Sequence, residues 1–122
     1  SAKLPEIAGK AALDNTFFSS LYSPDDTSDL NKNFVAEYKK AYNTNPDVFA
    51  ALAYDSTLLV AEAIEKAGSA DPVKIAEAMA KISGFKGVSG EVTFNEEHNP
   101  IKSAVIIEHK DGVQTFKTKV NP

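Results

Sequence analysis

The stretch Pro46-Asp-Val-Phe-Ala-Ala-Leu-Ala-Tyr-Asp-Ser-Thr-Leu-Leu-Val-Ala-Glu-Ala-Ile-Glu-Lys-Ala-Gly68 constrains this chain more than any other. It reads as one helix. Asp47 opens it, because a carboxylate there can accept from the free amides of the first turn, and Gly68 closes it, because glycine takes the left-handed conformation at a helix end. Its first half, Val48 to Tyr54, is apolar on every side. A surface helix shows one apolar stripe and one wet face, so this helix needs cover on more than one side. A parallel sheet covered on both faces would provide it, but the neighbouring sequence does not contain the strands of such a sheet.

The remaining segments fall into an ordered series. Residues 1–12, with Pro5 and Gly9, read as a loop or a short helical turn, and Asn15 to Tyr22 is β-branched and aromatic enough for a strand. Ser23-Pro-Asp-Asp-Thr27 is turn chemistry, and Ser28 can cap a helix from about Asp29 to Tyr42. In that helix Leu30, Phe34, Tyr38, Ala41 and Tyr42 draw one apolar stripe, with Lys32, Glu37, Lys39 and Lys40 opposite. Asp71-Pro72 starts a third helix, to about Ile82, which aligns Ile75, Met79 and Ile82. Gly84, Gly87 and Gly90 then mark a loop, Glu91 to Phe94 a strand and Asn95 to Pro100 a polar turn. Ser103 to His109 and Val113 to Lys119 are strands joined by Lys110-Asp-Gly112, a strong hairpin signal. The expected fold class is α/β: one strand, three helices, then three mainly antiparallel strands ending in a hairpin. The parts are 1–24, 25–83 and 84–122 of a single segment.

Charge and composition remove several functions. Thirteen basic against seventeen acidic residues give a net charge of −4, and Lys39-Lys40 and Lys117 with Lys119 are too sparse for a nucleic-acid footprint. Without cysteine there is neither a disulfide framework nor a thiolate metal site. No stretch approaches the roughly 20 apolar residues of a membrane span. The chain begins Ser1-Ala2-Lys3, without an initiator Met, and is expected to be a piece of a longer protein.

Catalytic chemistry has no foothold, and no cofactor or metal is expected. No Gly-x-Ser-x-Gly elbow occurs, and no glycine-rich loop leads from a strand into a helix. His98 in a polar turn and His109 beside a hairpin turn are expected on the surface. Glu96-Glu97-His98 and Asp25-Asp26 with Asp29 lack metal-ligand spacing and suit turn and capping duty. Glu62 and Lys66 form a same-side helix pair. The aromatic stripe of Phe34, Tyr38 and Tyr42 is expected in the core. Phe49 and Tyr54 fit either core filling or the wall of a cleft, since Phe49 stands in a first helical turn just after a loop.

Several runs, taken in order, resemble a known superfamily. They are Phe34-Val-Ala-Glu-Tyr-Lys-Lys-Ala-Tyr42, Asn45-Pro46-Asp47, Ala50-Ala-Leu-Ala-Tyr-Asp55, Ala63-Ile-Glu-Lys-Ala-Gly68 with Asp71-Pro72, Phe85-Lys-Gly-Val-Ser-Gly90 and Val92-Thr-Phe-Asn95. With Ser103-Ala-Val-Ile-Ile107 and Asp111-Gly112 they resemble the type I periplasmic-binding-protein superfamily, nearest to the substrate-binding proteins of branched-chain amino-acid ABC transporters. The resemblance implies the C-terminal third of a two-lobe protein that closes on a small amino acid and docks on a membrane permease. It implies an extracytoplasmic setting, in the periplasm or lipid-anchored at the cell surface. Phe17 to Pro24 resembles a segment crossing between lobes. Phe49 maps to the aromatic beside the ligand, with Tyr54 and Tyr22 as further ligand-lining positions. The long helix would then lie on a parallel sheet outside this chain, and the chain alone is expected to form homo-oligomers. A ligand-sensing domain of a receptor or regulator with the same fold, or a self-associating interaction module, are the alternatives.

Overall fold

The computed structural model describes residues 4–122. It contains α1 (Leu4–Ala8), α2 (Lys10–Leu13), β1 (Phe17–Ser20), α3 (Asp29–Tyr42), α4 (Val48–Ala67) and α5 (Pro72–Ala80), then β2 (Phe85–Gly87), β3 (Gly90–Phe94), β4 (Pro100–Lys102), β5 (Ala104–Lys110) and β6 (Val113–Val120). The caps explain the helix boundaries. Ser28 accepts from the Asn31 amide, Asp47 from the Ala50 amide at 2.8 Å and Asp71 from the Val73 and Lys74 amides. Asn43 and Gly68 end α3 and α4 in the left-handed conformation.

The strands form two separate antiparallel sheets, ordered β1-β5-β6 and β2-β3-β4. The segment after α5 therefore holds five strands instead of three. Phe85–Gly87 folds back on Gly90–Phe94 through a tight turn at Val88 and Ser89, and Pro100–Lys102 pairs along the other edge. These two strands have three residues each, too short to show alternation in the sequence. α5 ends at Ala80 rather than Ile82; the amides of Lys81 and Ile82 close it on Ala78 and Met79.

Two apolar clusters hold the helices to the β2-β3-β4 sheet. Leu59 and Ala63 of α4 meet Ile82, Phe85 and Val92, with Ile75 and Met79 of α5 packed beside them. Tyr22, Phe34, Ala51 and Val88 form the second, bordered by Tyr38 and Val48. The aromatic stripe of α3 is thus core only in part: Phe34 is buried and Tyr38 half-buried, but Tyr42 is 67% exposed at the helix end.

The other sheet corrects the expectation for His109, which is buried rather than on the surface. It shares a face of β5 with Val105 and Ile107, since strand side chains alternate, and that face is the buried one. Its ring is fully partnered. The Thr16 hydroxyl donates to Leu13 O at 2.6 Å, leaving Thr16 Oγ1 free to accept from His109 Nδ1 at 3.0 Å. Nε2 is then the acceptor for the Gln114 amide at 3.4 Å. His98, in contrast, is exposed in the β3–β4 turn with φ 62.

Asp47→Ala removes the acceptor that starts the longest helix. It should lower unfolding free energy by about 1 kcal/mol, read as a reduced midpoint in urea denaturation with an unchanged slope; an unchanged midpoint would show that α4 does not depend on its cap.

Candidate functional site

Helix α4 has two different faces. Ala51, Asp55, Leu59 and Ala63 repeat every four residues and are all buried. The opposite side carries Phe49, Ala53, Thr57, Val60 and Ile64, with Ala50, Tyr54, Leu58 and Ala61 beside them, and its only charge is Glu65 in the last turn. Its large members stay open to solvent: Phe49 at 75%, Tyr54 at 45%, Val60 and Ile64 at 42% each. Between α3 and α4 this surface deepens into a groove of about 850 Å3, lined by Leu30, Phe34, Tyr38, Tyr42, Tyr54 and Leu58 among others. A row of rings runs along it. Tyr42 and Tyr38 centroids are 4.6 Å apart, Tyr38 and Phe34 5.7 Å, and Phe34 and Tyr54 4.8 Å. Such spacings suit aromatic contacts, yet the outer side of the row has no cover.

The inner face is fastened by one carboxylate. Asp55, 3% exposed, accepts from the Val88 amide at 2.8 Å and the Ser89 amide at 2.9 Å, and the Ser89 hydroxyl also donates to it. Lys102 Nζ donates to that hydroxyl oxygen at 2.7 Å, so a cation completes the array. Burial lowers the Lys102 ammonium pKa, partly offset by the Asp55 charge. Gly87 belongs to the same construction, since a Cβ there would lie 2.5 Å from Asp55 Oδ2. The sequence did carry a signal for this array: a lone carboxylate on the Ala51–Leu59–Ala63 line of an otherwise apolar stripe requires buried donors.

Of the three residues singled out from the sequence, the structure brings two together. Tyr22 and Tyr54 both pack on the Phe34 ring, at 6.3 and 4.8 Å. Phe49 stays outside that cluster, projecting from the first turn of α4. Tyr22 is buried and its hydroxyl has no hydrogen-bond partner among the described residues. Burial, then the negative charges of Asp26, Asp25 and Asp55, push its phenol well above the usual range. No three His, Cys, Asp or Glu side chains converge for a metal ion among the described residues.

The segment after Tyr22 is pinned to α3. Asn31, fully buried, donates to the carbonyls of Ser23, Pro24 and Asp26 at 3.4, 3.1 and 2.8 Å. Asp26 accepts from the Ser28 amide at 2.9 Å and pairs with Lys119 at 3.1 Å. The turn role foreseen for Asp26 therefore comes with an ion pair to a strand far along the chain. Burial favours the neutral Asp26, but the Ser28 amide and the Lys119 ammonium outweigh it and hold the carboxyl below the usual range.

A periplasmic binding protein family model matches residues 2–114. The chain belongs to that family. Its similarity to solved structures extends over the whole fold: a leucine binding protein from Thermotoga maritima superposes with a TM-score of 0.87 at 37% identity, covering 100% of this chain and 35% of that one. A branched-chain amino acid transporter substrate binding protein from Streptococcus pneumoniae, in complex with isoleucine, gives 0.81 at 32% identity, again over 100% of this chain and 35% of that one. The leucine-, isoleucine-, valine-, threonine- and alanine-binding protein of Pseudomonas aeruginosa is 31% identical over 94% of this chain. The chain spans 31% of that relative's length. Family membership carries the fold class expected from the sequence, an α/β arrangement with antiparallel sheets.

Two outcomes follow for the polar groups. Asp55→Ala leaves the Val88 and Ser89 amides buried without an acceptor and should cost about 3 kcal/mol, measured by urea denaturation, with faster hydrogen exchange at those two amides; wild-type exchange there would contradict the clamp. Asp26 titrates lower in the folded than in the unfolded chain, so its contribution is present above the ordinary aspartate pKa of about 3.9 and is lost as pH falls through the folded value. Acid unfolding of Asp26→Asn should accordingly lack that loss, seen as a flatter dependence of stability on pH below about 4.

Proposed function

We propose that this chain is the C-terminal third of an extracytoplasmic substrate-binding protein for a branched-chain amino-acid ABC transporter. The reading is carried by its similarity, end to end, to proteins named for binding leucine, isoleucine and valine. The largely apolar outer face of α4, with Glu65 its only charge, supports it, because a helix fastened on one side and apolar on the other is built to lie between two layers. That second layer is the parallel sheet of a lobe supplied by chain beyond these residues. Phe49, at the exposed start of α4, forms one wall of the ligand cleft, and Tyr54 and Tyr22, joined to each other through Phe34 and apart from Phe49, are further ligand-lining positions. In the whole protein an amino acid is enclosed by hinge closure and delivered to a membrane permease. Not every similar protein takes an aliphatic ligand. A solute binding protein from Rhodopseudomonas palustris in complex with benzoate matches at 26% identity with a TM-score of 0.78, so the side-chain pocket of the cleft decides the ligand.

The same face gives the isolated chain a partner in itself. A contiguous exposed apolar patch larger than a few hundred Å2 marks an interaction surface, and the α3–α4 groove is uncharged over most of its lining. Two copies packed face to face cover it with the same patch on each side.

Transplanting residues 4–122 in place of the matching third of the Thermotoga leucine binding protein tests the functional reading. Calorimetry should show leucine binding by the hybrid, weakened at least about tenfold by Phe49→Ala, equivalent to roughly 1.4 kcal/mol. A folded hybrid that binds no aliphatic amino acid would contradict it. The chain alone should bind no leucine, and light scattering should give a mass above the monomer that falls on Leu58→Glu; a clean monomer at high concentration would rule out the self-association.

A further inference from the structure

The chain passes between its two sheets twice, through residues 21–28 and through Ser103. No strand of one sheet pairs with a strand of the other. The first passage is not a free linker, because Asn31 and Asp26 bind it to the start of α3 and Tyr22 is packed against Phe34. The joint between β1 and this passage is the exposed Leu21, spanned only by the Ser20 hydroxyl, which donates to Tyr22 O at 3.0 Å and accepts from the Tyr22 amide at 3.4 Å. The second passage is a single residue between β4 and β5.

Across these two narrow points reaches Lys119, near the end of β6. Its ammonium meets Asp26 Oδ2 at 3.1 Å, and its side chain lies over Gly90 of β3, within 3.8 Å of where a Cβ would stand. Among the described residues it makes the one hydrogen bond between two side chains that ties β5 or β6 to the segment carrying the helices. Gly90 also lies against Ser103, whose hydroxyl would be 2.9 Å from an added Cβ, so the cation and the second passage share one tight spot. Both ion-pair partners are mostly shielded, with side chains 33% and 12% exposed for Lys119 and Asp26.

We propose that the Lys119–Asp26 pair is a latch that sets the angle between the two halves, with bending points at Leu21 and Ser103. The proposal rests on the two-lobe reading above for its biological use, but the latch itself is a property of this chain. Two halves joined by two short passages exchange between angles, and an interaction present at one angle shifts their populations by its own free energy. A partly shielded ion pair is of the size that moves such a balance by a factor of roughly five. Breaking the pair should therefore change the angle while leaving the halves folded.

The chain has no cysteine, so a pair of spin labels can be placed without background. Labels at Lys74→Cys on α5 and Thr115→Cys on β6, both exposed, report the separation of the halves by pulsed electron resonance. Labelled chain is diluted into excess unlabelled chain to remove distances between copies. Wild type should give one dominant distance at low salt. Lys119→Met and Asp26→Asn should each shift or broaden it with an unchanged circular dichroism spectrum, Lys119→Arg should restore it, and high salt should act on the wild type as the variants do. Wild-type distances in both Lys119→Met and Asp26→Asn would overturn the latch. Should one variant unfold, the other and the salt series on the wild-type chain decide. Because no ligand enters the experiment, a negative result leaves the leucine-binding reading standing, and a failed leucine titration leaves the latch untouched.

Discussion

Asp55 fastens the longest helix to the rest of the molecule and thereby decides which of its faces is left open. The carboxylate is buried against a turn that donates two backbone amides and a hydroxyl, with Lys102 behind the hydroxyl. A buried charge without such donors would be strongly destabilising, so α4 can sit in only one rotation about its axis. In that rotation Leu59 and Ala63 face the small sheet and Phe49, Val60 and Ile64 face away from it. The glycine at position 87 makes the approach close enough, because any side chain there would occupy the place of the carboxylate. Anchor and open face are two consequences of one contact.

The open face gives the fold its meaning. α4 is covered on one side by β2, β3 and the end of α5, while its other side and the aromatic row of α3 meet water. Leaving so much ring and branched aliphatic surface uncovered is costly in water, and in the similar proteins about two thirds of the length lies outside the part matched here. The two-sheet division supports the same view, since the halves meet at two short passages and one ion pair instead of through a common core.

Much of this was legible from the residues. Helices α3 and α4 appear with their sequence-expected boundaries because Ser28, Asp47 and Gly68 are unambiguous caps, while the left-handed cap at Asn43 is seen only in the structure. The Asp111-Gly112 hairpin was equally clear, and so was the Glu62–Lys66 pair, at 2.7 Å. What escaped depends on partners distant in sequence. β2 and β4 are three-residue strands defined by pairing, and no local period marks them. His109 reads as a surface residue beside a turn until β5 is seen to bury the face it shares with Val105 and Ile107. Among the candidate site residues, the joining of Tyr22 and Tyr54 through Phe34 spans most of the chain's first half and has no sequence period to betray it. Phe49 was placed by resemblance, and in this chain it stands 75% exposed at the head of α4.

The central claim is that the outer face of α4 is an internal interface of a larger protein. Methyl accessibility to a dissolved paramagnetic probe tests it most directly, measured on residues 4–122 transplanted into a monomeric leucine binding protein. Leu59 should be protected, and the methyls of Leu58, Val60 and Ile64, open in the structure described here, should become protected with it. If those three stay as accessible as surface methyls in the folded hybrid, no layer covers α4 and the claim is contradicted.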